Sequence, residues 1–324
     1  MLELTIPGKL FLAGEYAVTR AGSQALLAAV FPGVTSQITA SATIAVTSNI
    51  IAGTWPADEH ADWRFVAAAV RLMQDYATLH NAPTPSFSLT LTTQLAPNGD
   101  KLGYGSSSAV VVAVVKSLAQ FWQLELDLLT QFKLAAVAHL YVQQNGSLGD
   151  VASSTFGGLI AYTKPDFAVP AELDARVVDQ DWPHLAIQPI AWPADWDLLV
   201  FETHEQANTK KHQAKHYQAD FEADFWTESD AIVANLITAF QTQDYDAVTT
   251  ELAFNQALLA GQLPDDYITE KLADVLDLLM DMEAAGKISG SGFGDNAFAI
   301  VESGEELPTL PGILTRRTAL APAQ

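Results

Sequence analysis

Four short segments carry residues whose types and spacing could do chemistry: "PGKLFLAGEYAV" (Pro7 to Val18), "KLGYGSSSAVVVA" (Lys101 to Ala113), "NGSLGDVASSTFGG" (Asn145 to Gly158) and "GKISGSGFGDN" (Gly286 to Asn296). In the second, Gly103 and Gly105 free the backbone for a tight turn, and Ser106, Ser107 and Ser108 can cap the apolar helix that follows. Such a turn leaves backbone N–H groups unpaired at the positive end of a helix dipole, which makes it an anion site suited to phosphate. Lys9 follows a Pro-Gly strand break, where an ammonium could neutralise charge on a transferring phosphoryl group. Asp150 could hold a proton or position a nucleophile; its structural alternative is a helix N-cap ahead of "VASS". Glu15 and Tyr16 could brace the first turn. One glycine turn would be explained by backbone geometry alone; four, each with a lysine, aspartate or serine, call for a shared ligand. None matches G-x-x-x-x-G-K-[ST], and no strand leads through G-x-G-x-x-G into a helix, so a nucleotide would be held by another design.

"THEQANTKKHQAKH" (Thr203 to His216) contains three of the seven histidines, with His212 and His216 four residues apart. A zinc site needs a third ligand, and the pattern H-E-x-x-H is absent, so the segment reads as a polar loop entering a helix.

The elements that must position these groups follow from periodicity. Alternation predicts strands at Leu2 to Ile6, ended by Pro7 and Gly8, at Val34 to Thr47 and at Phe87 to Leu95, in a half-exposed antiparallel sheet. Helical spacing covers Asp62 to His80, the run from the glycine-serine turn to Trp122, and Leu128 to Gln144. Gly158 to Thr163 reads as a strand closing the first half, and a segment rich in proline and aspartate follows, containing the candidate strand "HLAIQPI". Beyond it, strands are expected at Asp197 to Thr203 and Asn296 to Glu302, with three or four amphipathic helices between about Asn208 and Ala285. The order is α+β in both halves, not regular βα alternation. At 324 residues, two domains sharing one cleft are expected, 1–165 and 166–324.

A formal charge of −22, from 38 acidic and 16 basic residues, argues against nucleic acid or an anionic membrane as partner. A small anionic substrate stays possible, because a few lysines and backbone dipoles can reverse the potential inside one cleft. The absence of cysteine excludes disulfides, thiolate metal sites and a cysteine nucleophile. Apolar runs are too short to span a membrane, and the start carries no leader pattern, so a cytoplasmic location is expected.

Taken together the segments resemble the three motifs of the GHMP kinase family, the small-molecule kinases of galactose, homoserine, mevalonate and phosphomevalonate. "PGKLFLAGEYAV" is similar to the first, "GYGSSSAVV" to the phosphate loop and "SGSGFGDNAFAIV" to the third. "GEYAV" with Tyr16, "GSLGDVASSTFGGLIAY" and "FVAAAVRLM" look most like the branch acting on mevalonate 5-phosphate. The resemblance implies a two-domain α+β fold with a catalytic cleft between the domains, acting with ATP and Mg²⁺ as a monomer or homodimer. It implies catalytic roles for Lys9 and Asp150. The ATP phosphates would be held by Lys101, Gly103, Gly105, Ser106, Ser107 and Ser108, with Ser107 nearest the metal. Tyr16, Ser147, Ser153, Ser154, Thr209, Lys210, Ser291, Gly292 and Asp295 are implied on the acceptor side, with Lys211 beside them. Two residues depart from the family pattern: Tyr104 stands where leucine is usual in the loop, and Phe293 where a third-motif glycine is commoner, which would narrow that turn. The alternatives on the same fold are a mevalonate kinase, a decarboxylase of the diphosphate and a non-catalytic ligand-binding relative.

Overall fold

The computed structural model describes residues 1–95, 102–205, 221–294 and 296–324. Ten strands and seven α-helices occur among them. The first sheet has six strands: β1 (Leu2–Ala13), β2 (Gln24–Ala40), β3 (Ala45–Ser48), β4 (Phe87–Thr93), β5 (Leu159–Thr163) and β6 (Ala186–Ile190), in the order β3-β4-β2-β5-β6 with β1 also paired to β2. Its pairings are antiparallel except β3 with β4. Against it lie α1 (Arg64–Leu79), α2 (Ser106–Phe121), α3 (Leu128–Gln143) and α4 (Gly149–Phe156). A second sheet, β10-β7-β9-β8, comprises β7 (Trp196–Glu202), β8 (Ala285–Ser289), β9 (Asn296–Glu302) and β10 (Leu314–Thr318). It packs with α6 (Tyr245–Gln262) and α7 (Glu270–Asp281), while α5 (Phe225–Thr242) packs on α6 and on β2 and touches β7 through Phe240 and Trp196.

Three expectations are corrected. Pro7 and Gly8 do not end β1; the strand runs through them with a register shift, Pro7 opposite Gly33 and Gly8 opposite Val30. The missing N–H of Pro7 is absorbed by that irregularity rather than by a break. A division at 165/166 would cut the first sheet, because β6 pairs with β5 from Thr163–Ala186 to Leu159–Ile190. Keeping the sheet whole moves the division past Ile190. The Phe293 ring does not narrow its turn: it is 6% exposed and packs edge-on against Tyr267 at 6.0 Å between centroids, inside the second core.

The long β2 joins two regimes of pattern. Its first stretch, Ala25 to Val30, is fully buried on both faces, so it reads as a continuous apolar run rather than an alternation. One apolar cluster spans both halves, from Ile6 and Val112 to Val200, Phe240 and Ile300. Chain segments cross the same boundary: Gly158 N donates to Ala321 O at 2.8 Å and Ala321 N to Ala29 O at 2.8 Å.

Candidate active site

The glycine-serine turn starts α2 with Gly105 in the left-handed region at φ 76°, a conformation that favours glycine. A Cβ there would also lie 3.1 Å from Ser108 Oγ and 3.3 Å from Lys9 Cγ, so the position admits no larger residue without displacement. Ser108 is fully buried and donates to Gly105 O at 2.7 Å, which closes the first turn. Ser106 and Ser107 stay half-buried at the helix start. The arrangement leaves the first amides of α2 pointing out of the turn, as an anion site requires.

Lys9 on β1 is directed at this turn. Its backbone N–H donates to Tyr104 O at 2.9 Å and its ammonium to Gly103 O at 3.0 Å, with the Nζ 5.4 Å from the centre of the Phe11 ring. A Cβ built on Gly290 would stand 3.9 Å from that ammonium, so the fourth segment borders it too. On the far side of Phe11 begins α4: a Cβ on Gly149 would meet Phe11 Cζ at 3.3 Å. Asp150 is the next residue, half-buried in the first turn of α4, where its Oδ1 accepts from Val151 N at 2.9 Å. Leu148, not Asp150, occupies the cap position. Three of the four segments thus meet at one ammonium, and the remaining one, which carries Asp150, reaches Phe11 through Gly149.

The first and fourth segments are locked together below this point. The Lys287 ammonium and Glu15 Oε1 are 2.6 Å apart with both side chains buried, and Glu15 Oε1 also accepts from Gly290 N at 3.2 Å. Burial pulls the Lys287 pKa below its ordinary value while the Glu15 carboxylate opposes that shift. Removing either partner would strand a buried charge. Tyr16 OH donates to Ser291 O at 2.6 Å, and Ser289 Oγ donates to Phe11 O at 2.9 Å. Gly292, at φ 72°, passes so close to Tyr267 that a Cβ would overlap its ring at 2.2 Å.

The remaining expected residues divide. Ser147 Oγ accepts from Gly149 N at 3.2 Å and shapes the turn into α4. Ser154 is fully buried and donates to Pro7 O at 2.9 Å, tying α4 to β1. Ser153 is equally buried, and its hydroxyl has no hydrogen-bond partner among the described residues. Neither of these two presents an oxygen to solvent. Lys101, Thr209, Lys210, Lys211 and Asp295 lie outside the described residues.

His139 was not read from the sequence as a site residue. It sits on α3, 5% exposed, with Nε2 3.2 Å from Ser107 Oγ and its ring stacked on Phe65 at 5.2 Å between centroids. Its Nδ1 is buried without a partner among the described residues. Burial lowers its pKa and the Asp150 carboxylate partly opposes this. Only a polar residue inside the apolar "KLAAVAHL" run could have signalled it. Among the described residues no group of three or more acidic or histidine side chains could hold a metal by itself.

Residues 64–158 match the family model "GHMP kinases N terminal domain", and residues 236–311 match "GHMP kinases C terminal". A phosphomevalonate kinase from a Streptomyces species is 30% identical over 92% of this chain and 89% of its own. The chain belongs to the GHMP kinases. A solved structure of Streptococcus pneumoniae phosphomevalonate kinase, in complex with phosphomevalonate and AMPPNP, is similar at TM-score 0.86 and 26% identity, over 98% of this chain and all of that one. A Listeria innocua protein structure is similar at TM-score 0.85 and 28% identity, over 98% and 99% of the two chains. Both likenesses extend beyond the residues that the two GHMP kinase models match and so take in the first motif, with Lys9.

Proposed function

We propose that this chain transfers the γ-phosphoryl group of ATP to mevalonate 5-phosphate, making the diphosphate. The observation that carries the reading is the convergence of Lys9, the Gly103–Ser108 turn and the Gly290 turn on one point. The names of the Streptomyces relative and of the pneumococcal complex support the choice of acceptor. The turn amides would hold the β- and γ-phosphates, joined by Ser106 and Ser107, and the Lys9 ammonium would leave Gly103 O for the transferring group. Tyr16, Ser147 and Ser291, with Thr209, Lys210 and Asp295, belong to the acceptor side in this reading.

Mg²⁺ fits the oxygens present. It is commonly held by one or two protein oxygens and by substrate phosphates, without an all-protein cage. Ser107 Oγ, at the start of α2 and 3.2 Å from His139 Nε2, is the hydroxyl that would join the ion's shell. Bound there, the ion would neutralise charge on the β- and γ-phosphate oxygens. A phosphomonoester has a second pKa near ~6, so its attacking oxygen is already deprotonated at neutral pH. Asp150 then serves to orient Lys9 and the metal's shell rather than to remove a proton. A cytoplasmic location, where ATP is available, accompanies this reading.

The test is ADP release with Mg·ATP across mevalonate 5-phosphate, mevalonate and a panel of sugar and amino-alcohol acceptors. A preference for mevalonate 5-phosphate of about a hundredfold in kcat/KM, roughly 2.7 kcal/mol, is expected. Turnover of mevalonate instead would restore Asp150 as a needed base, and ATP binding with no turnover on any acceptor would leave a binding protein.

A further inference from the structure

The Gly103–Ser108 turn is held from the other half of the molecule. Asn296 on β9 donates from Nδ2 to Leu102 O at 2.7 Å, and Tyr104 OH donates to Glu202 Oε1 on β7 at 2.6 Å. Glu202 is the last residue of β7, an inner strand of the second sheet, opposite Asn296 on β9 and opposite Leu314 on β10. Its side chain is 2% exposed, and the same Oε1 meets the Arg316 guanidinium at 2.9 Å. Tyr104 is 1% exposed. A leucine at 104 would fill the space and leave the carboxylate with Arg316 alone.

Tyr104 is also a pivot. Its side chain reaches the second sheet, while its carbonyl accepts from Lys9 N and the preceding carbonyl, Gly103 O, accepts from the Lys9 ammonium. A shift of the phenol therefore moves the turn amides and the Lys9 anchor together. A hydrogen bond between a buried phenol and a charged carboxylate is among the stronger kind, so the tether is stiff.

We propose that Tyr104, Glu202 and Arg316 are positioning residues, a clamp by which the C-terminal half holds the phosphate turn in its nucleotide-binding shape. The proposal rests on the ATP reading of that turn. It assigns the clamp to the nucleotide and not to the acceptor, since every group it moves belongs to the turn or to its contact with Lys9.

The experiment measures Mg·AMPPNP binding by calorimetry and steady-state kinetics on Tyr104→Phe and Glu202→Gln, beside urea unfolding of each. Tyr104→Phe keeps the ring and leaves Glu202 paired with Arg316, so it is expected to fold. It should weaken AMPPNP binding and raise the KM for ATP by about tenfold, with the acceptor KM changed less than about twofold. Glu202→Gln should do the same, and the double variant should lose less than the sum of the two, as expected of one shared contact. Arg317→Met, one residue along β10 and paired instead with Asp197 at 3.0 Å, should leave both constants unchanged. A lowered unfolding midpoint with unchanged AMPPNP affinity in Tyr104→Phe would overturn the clamp and leave a purely structural contact. A wild-type protein that binds no AMPPNP would instead overturn the ATP reading itself.

Discussion

Two turns in this molecule look alike in sequence and behave differently in structure. "GYGSSS" and "GSLGDVASS" both place glycine and serine ahead of a helix, α2 and α4 respectively. In the first, glycine itself takes the left-handed cap position and two of the three serines stay half-exposed at the helix start. In the second, Leu148 takes that conformation at φ 67°, and Ser153 and Ser154 are sealed inside. The first turn is open toward a ligand; the second seals Ser153 and Ser154 inside, Ser154 as a tie to Pro7, and leaves Ser147 and Asp150 half-buried. Serine number therefore does not mark a phosphate site, whereas the placement of the helix's first amides does.

The strongest way to break that comparison is to remove the cation that the first turn faces. Lys9→Met should lower kcat by about 10³-fold, since it deletes the ammonium that would neutralise the transferring group. Folding should survive, because a methionine still packs on Phe11. Single-turnover rates with ATP in excess check it, and near-normal turnover would remove Lys9 from the reaction.

A matched pair of alanine substitutions sharpens the backbone difference. Gly105→Ala should cost about 1 to 2 kcal/mol of stability for the left-handed conformation, and should raise the KM for ATP by pressing on Lys9. Gly149→Ala sits in helical backbone and meets side-chain atoms alone, Leu27 Cδ2 and Phe11 Cζ at 3.3 Å and Ser147 Oγ at 3.4 Å. It should stay within about 0.5 kcal/mol of wild type, helix propensity offsetting the contact. Urea midpoints for the two variants decide this; equal losses would mean that the two turns are interchangeable.

The serines should separate in kind. Ser107→Ala is expected to reduce kcat/KM at least about tenfold, roughly 1.4 kcal/mol, with little change in unfolding. Ser154→Ala should do the reverse, losing about 1 kcal/mol of stability with its bond to Pro7 and leaving the KM for ATP alone. If Ser154→Ala raised KM for the acceptor without loss of stability, it would be a binding residue after all.

The sequence showed much of this because local chemistry and fold agree there. Helix α1 follows from 3.6-residue spacing, α2 and α3 from long apolar runs, and the glycine-serine turn from backbone chemistry alone. What escaped depends on partners far along the chain. Nothing near Lys287 reveals that it faces Glu15, 272 residues away. The continuation of β1 through Pro7 depends on its pairing with β2, and the burial of Ser153 and Ser154 on the packing of α4 against β1. β8 and β10 were missed because each is five residues long with little alternation. The roles of Tyr104 and Phe293 rested on tertiary neighbours, Glu202 for one and Tyr267 for the other.

The smallest expected effect concerns how the two turns are joined behind the cleft. Lys116, on α2, is 8% exposed and donates to Thr155 O at 2.7 Å on α4, and its second partner is the side chain of Gln324. Burial lowers its pKa to about 8 from 10.5. The folded form thus binds fewer protons than the unfolded form between those values, so this group makes stability rise as pH climbs from about 8 toward 10.5. Below pH 8 the penalty is constant, at most about 3 kcal/mol. Lys116→Met should remove the rise. The wild-type minus variant difference in unfolding free energy should therefore climb by about 1 kcal/mol per pH unit between pH 8.5 and 10. A flat difference would mean that Lys116 keeps its charge through water or through Gln324, and that α2 and α4 are joined by a solvated cation rather than by a dry one.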